Sequence, residues 1–162
     1  MSHALTLMQW LSPAFPVGAF AYSHGLEQAI ADGAVTGADT LEAWLTALVT
    51  HGSGRADGIL LAAAFQAENP ATVDATARAF AASAERRKET DLQGAAFCDT
   101  AHAVWGLALS GLTYPVAVGA AARAMDIPLA DTLPLYLQAF VGNLVSVAQR
   151  ALPLGQTDGQ KV

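Results

Sequence analysis

The stretch "LEAWLTALV", Leu41 to Val49, decides the fold class. Leu41, Trp44, Leu45, Leu48 and Val49 fall at i, i+3, i+4, i+7 and i+8, which draws one apolar stripe down a helix. Asp39 followed by Glu42 supplies a capping-box-like start, and Gly52 a stop. The same period recurs outward in both directions, whereas strand-like alternation is hard to find. Asn69 before Pro70 marks another helix start, with proline where its missing N–H does no harm. Further helices are expected over Ala4 to Leu11, Tyr22 to Ala31, Ala56 to Ala67, Ala84 to Leu109, Pro115 to Met125 and Asp131 to Ala151. Abundant alanine, the best helix former, agrees. The expectation is an all-α fold: one helical bundle over residues 1–162, a single domain, with a long apolar C-terminal helix at its centre. The ending "LPLGQTDGQKV" reads as a turn and a helix that starts at Asp158 and stops at once, which reads as truncation.

Composition narrows the function classes. The 162 residues are 53% hydrophobic and only 14% charged, against roughly 25% charged in ordinary soluble domains. Such a chain is expected to hide part of its surface against partners. The net charge of −6 argues against a nucleic-acid binder, which needs a basic stripe. "ERRKE", Glu85 to Glu89, reads as a solvated helix face. Cys98 stands alone, so no internal disulfide forms, and no secretory signal is visible; the cytoplasm is the expected compartment. Thr100 to Ala122 and Thr132 to Gln149 carry no acid, lysine or arginine, and each approaches the length of a membrane span. Their internal Ser110, Gly111, Pro115, Pro134, Gln138 and Asn143 favour buried helices of a bundle, with no membrane.

Three chemical readings are available. Ser23 in "AYSHG" differs from a G-x-S-x-G elbow in its first position, which would make a serine hydrolase. That elbow needs a strand feeding a turn within a parallel sheet, and the sequence predicts none. The plainer reading gives Ser23 a helix-capping role. Cys98 and His102, four apart on a predicted helix, share a face that a nickel ion could bridge, yet two ligands are not a site. "GQTDGQKV" lacks the G-K-[ST] ending of a phosphate loop. No catalytic residue, cofactor or metal site is assigned, and no paired carboxylates stand out in an apolar setting.

What remains is "PAFPVGAFAYSHGLEQA", Pro13 to Ala29. Pro13 and Pro16 fix φ, and Gly18 frees the chain to turn. Phe15, Phe20 and Tyr22 then form an aromatic group on a stiff loop, which suits docking because little side-chain entropy is lost on binding. For Phe15 a place in the core serves equally well.

"LMQWLSPAFPVGAFAYSHGLEQAIADGAV", "AERRKETDLQGAAF", "LTYPVAVGAAARAMDIPL" and "LPLGQTDGQK", in this order and over nearly the whole chain, resemble the urease accessory proteins of the UreF family. The resemblance implies an all-helical, non-catalytic scaffold, dimeric, that matures urease. Its implied partners are UreD/UreH, the GTPase UreG and the urease apoprotein, with nickel delivered as cargo and the nucleotide held by UreG. By the same resemblance Phe20, where the family commonly has Tyr, and Arg150, where it often has Lys, belong to the surface facing the GTPase. Pro16, Gly18, Ser23, Gly25, Leu26 and Glu27 match the family's opening motif; Pro16, Gly18, Ser23, Gly25 and Glu27, with Tyr22 of the aromatic group, complete the expected partner-binding set. Family members continue past "TDGQK" with further helix and a tail that contacts UreD/UreH.

Overall fold

The computed structural model describes residues 2–19 and 22–162. Among these the chain is all-α. In order it runs α1 (His3–Trp10), α2 (Leu26–Ala31), α3 (Ala38–Thr50), α4 (Ser53–Gln66), α5 (Pro70–Ala79), α6 (Ala84–Trp105), α7 (Tyr114–Ala124), α8 (Leu129–Ala151) and α9 (Gln156–Lys161). None of these helices is long and apolar enough to cross a membrane.

Local chemistry sets several boundaries. Asn69 Oδ1 accepts from the Ala71 amide with Pro70 in the first turn, as its sequence signature predicts. Ser83 caps α6 by accepting from the Arg86 amide, and Gly106, at φ +70°, ends it. The long expected helix to Leu109 therefore stops at Trp105, and the chain runs on irregularly to Thr113. At α3 the start is made by Thr40, not Asp39: its Oγ1 accepts from the amides of Thr36 and Gly37. The helix expected from Tyr22 begins only at Leu26, because His24 and Gly25 both adopt positive φ, +50° and +80°.

The centre of the molecule is α7 rather than the long helix near the C-terminus. Pro115 to Ala122 are buried without a break, since a helix of alanine, glycine and valine accepts neighbours on every side. Gly119 packs on the Leu61 carbonyl of α4, and Gly94 of α6 lies against the carbonyls of Leu112 and Thr113; a β-carbon has no room at either. α8 is two-sided instead, burying Thr132, Tyr136, Leu144, Val145, Val147 and Ala148. Its first half joins the larger apolar cluster, around Leu7, Trp10, Leu61, Phe97, Val116 and Ile127. Its second half joins a smaller cluster with Leu26, Val35, Leu41 and Leu45. The polar loop before α7 is stapled down separately: Asp74 accepts from the Thr113 amide and from Arg78, which also reaches Asp91 and the Gly111 carbonyl.

Candidate functional site

Between the two clusters lies a chain of buried charges. Asp57 of α4 occupies the same stripe as Leu61 and Ala64, and all three are buried. Arg86 of α6 donates from one nitrogen to both Asp57 oxygens, at 2.6 and 2.7 Å. Its other terminal nitrogen sits 2.8 Å from Glu89 Oε2. Tyr136 of α8 donates its hydroxyl to Asp57 at 2.9 Å, and Gln93 donates to Glu89 at 3.3 Å. His24 closes the row: Nε2 is 3.4 Å from Glu89 Oε1, Nδ1 is 3.1 Å from Ser53 Oγ, and the ring meets Phe140 edge-on.

The electrostatics follow from this geometry. Burial works against the Arg86 charge, but Asp57 and Glu89 outweigh it and hold the guanidinium protonated more firmly than usual. Burial likewise opposes the Glu89 carboxylate; the His24 hydrogen bond and the Arg86 charge prevail and keep it below the usual carboxylate range. Burial and the neighbouring Asp57 push the Tyr136 phenol well up, so at neutral pH it donates. Each carboxylate is thus saturated by donors. A network this complete rigidifies and leaves no free base for proton transfer.

This row forms one wall of a cavity of about 480 Å³. Tyr22, Asn143, Ser146 and Arg150 line it as well, as do Phe15, Val17 and Ala19 of the segment that crosses it. That strap, described over Ser12 to Ala19 and Tyr22 to Gly25, is anchored at one end by Phe15, which is buried against Phe97 and Trp105 at centroid distances of 5.5 and 6.3 Å.

A family model described as UreF matches residues 35–162. The chain is 61% identical over 160 residues to the urease accessory protein UreF of Ruegeria sp. TM1040, covering 97% of this chain and 75% of that one. It is 57% identical over 160 residues to the protein of the same name from Roseobacter denitrificans, covering 98% and 72%. With the Dinoroseobacter shibae protein, also a urease accessory protein UreF, identity is 54% over 158 residues, covering 98% and 75%. The chain belongs to the UreF family. As a UreF-family strap, Ser12 to Gly25 now has specific residues to account for. Tyr22 and Arg150, far apart in sequence, line the same cavity. Pro16 is exposed and lines a second, shallower groove with Met8, Val104 and Trp105. Gly18 adopts φ +71° and Gly25 +80°, so both serve the backbone path. Leu26 is fully buried, and Glu27 faces solvent on α2, away from the cavity. Phe20 lies outside the described residues.

Other expectations need correction. Gly25 stands at the N-cap of α2 and no side chain caps it, so Ser23 is not its cap; the Ser23 carbonyl takes the Leu26 amide instead. His24 is committed to Ser53 and Glu89, not to Ser23, and no strand among the described residues supplies an elbow. Cys98 and His102 do not converge: Cys98 is buried, with its thiol pushed up by that burial, while His102 is exposed against the Leu107 carbonyl. Among the described residues no three metal-ligating side chains group together. "ERRKE" is not a wholly solvated face either, since Arg86 and Glu89 point inward and only its other residues face water. Asp57 was missed altogether, although a lone acid between Glu42 and Glu68 on the stripe of Leu61 and Ala64 signals a buried, paired carboxylate.

Proposed function

We propose that this chain is a non-catalytic scaffold of urease maturation. With a UreD/UreH partner it recruits the GTPase UreG, so that nickel is inserted into the urease apoprotein as cargo. It works in the cytoplasm as a homodimer built from single-domain protomers. The observation that carries this reading is similarity, over 97–98% of this chain and 72–75% of the relatives, to proteins named urease accessory protein UreF, at 50–61% identity. The site supports it, because the cavity's acids Asp57 and Glu89 are paired with Arg86 and its lining includes an amphipathic tyrosine, Tyr22, and an exposed arginine, Arg150. Tyr22 and Arg150 are the contact residues of this proposal, with Phe20 and Pro16 further candidates from the same opening motif; Gly18, Ser23, Gly25 and Glu27 shape or flank it.

Co-expression with UreD/UreH and UreG homologues and the urease subunits tests the proposal. Both accessory proteins are expected to co-purify, and nickel-dependent urease activity to depend on this chain. Tyr22→Ala with Arg150→Glu is expected to cut UreG retention by about tenfold, an ordinary hot-spot loss, with the helical circular dichroism unchanged. Full retention by a folded double variant would remove this surface from the account.

A further inference from the structure

We infer that His24 is a latch, tying the strap Ser12 to Gly25 to the buried Asp57–Arg86–Glu89 row and so fixing the shape of the face the strap presents. Among the strap's described residues, Ser12 to Ala19 and Tyr22 to Gly25, the backbone supplies no such tie. Along the strap the hydrogen bonds are local: Phe15 amide to Ser12 carbonyl, Val17 to Phe15, Tyr22 to Ala19 and Leu26 to Ser23. The Ala14 amide likewise turns only to the Ser12 hydroxyl. Phe15 holds one end by apolar burial alone. At the other end the imidazole makes the polar connection between elements, to Ser53 at the start of α4 and to Glu89 of α6.

Both ring nitrogens are engaged: Nε2 lies 3.4 Å from Glu89 Oε1, and Nδ1 shares a hydrogen bond of 3.1 Å with the Ser53 hydroxyl. The side chain is only 10% exposed and packs against Phe140 at a ring distance of 4.8 Å. His24 holds this position at φ +50°, a conformation that L side chains seldom adopt. Unfavourable backbone of this kind persists where the surroundings over-determine it, and here Ser53, Glu89 and Phe140 do so. Glu89 is itself oriented by Arg86 and Gln93, so the latch closes on a rigid strike plate. His24 is therefore a positioning residue for Tyr22, two residues before it.

The inference rests on the partner-facing reading only in its consequence for binding, and the test separates the two. His24→Asn keeps a residue tolerant of positive φ but is too short to reach both partners. In that variant the Tyr22 and Leu26 amides are expected to exchange hydrogen about tenfold faster or more, while amides of central α7 stay within about twofold. Ser53→Ala, which removes only the Nδ1 partner, should give an intermediate gain, and His24→Gln, able to donate to Glu89, should restore part of the protection. Equal acceleration in α7, or unchanged exchange at Tyr22 and Leu26 in folded protein, would overturn the latch. Capture of the UreD/UreH and UreG pair is read on the same samples. A loosened strap with capture intact supports the latch and overturns the docking reading; lost capture with an unchanged strap does the reverse.

Discussion

At the scale of single residues, Arg86 decides most. It neutralises two buried carboxylates that no other arginine or lysine reaches among the described residues. Removing one partner from such a group leaves uncompensated charge in a poor solvent, whereas removing all of it together is nearly neutral. Arg86→Met is therefore expected to cost about 3–5 kcal/mol in urea denaturation, and adding Asp57→Asn with Glu89→Gln should recover most of that loss. A single-variant cost under about 1 kcal/mol would mean water already screens the row. Glu89 adds a pH signature. Its folded carboxyl titrates below the usual range, so the unfolded chain binds the proton more readily. The stability it contributes is then complete above about pH 5, beyond the ordinary carboxyl value of about 4.3, and is lost as the pH falls through the folded value. The stability gap between the natural chain and Glu89→Gln should narrow over that window. A gap independent of pH down to 3 would show that Glu89 is not charged in the folded protein.

At the scale of elements, helix identity was legible and helix contact was not. The apolar stripe of Leu41 to Val49 and the Asn69–Pro70 start are local signals, and the structure reproduces both. The ends that moved, at Leu26 and Trp105, depend on glycines in left-handed conformation, which composition alone does not distinguish from glycines inside helices. The glycines show why contact stayed hidden. Gly94 and Gly142 look alike in sequence, each inside a long helix, yet a β-carbon at Gly94 would overlap the Leu112 carbonyl and one at Gly142 meets nothing within 4 Å. Gly94→Ala is accordingly expected to destabilise by about 3 kcal/mol or more, since backbone on the facing loop has to retreat. Gly142→Ala should stabilise by up to about 1 kcal/mol through helix propensity. Thermal unfolding of the two variants checks the pair, and equal shifts would contradict the close α6–loop approach. The inward turn of Arg86 and Glu89 was illegible for a related reason: charge pattern reports what a helix carries, and the partner Asp57 comes from another helix 29 residues away.

At the scale of the whole molecule, the question is whether two apolar clusters behave as one unit. α8 runs through both, with Tyr136 in the larger and Leu144, Val145, Val147 and Ala148 in the smaller. The charged row links them a second time, because Asp57 and Glu89 sit on helices of the larger cluster while His24 directly precedes α2 of the smaller. Continuous helix and shared polar contacts make separate melting costly, so a cooperative transition is expected. Leu144, 1% exposed, is the place to strain it. Leu144→Ala opens space in the smaller cluster and should cost about 2–5 kcal/mol. Two reporters of different clusters already exist: Trp10 is buried in the larger and Trp44 packs against the smaller. In versions retaining one or the other tryptophan, the urea midpoints seen by Trp10 and Trp44 should move down together when Leu144 is truncated. If the Trp44 signal shifts alone, the α2–α3 cluster is an independent unit, and a strap latched between the clusters then moves against the larger one whenever the smaller opens.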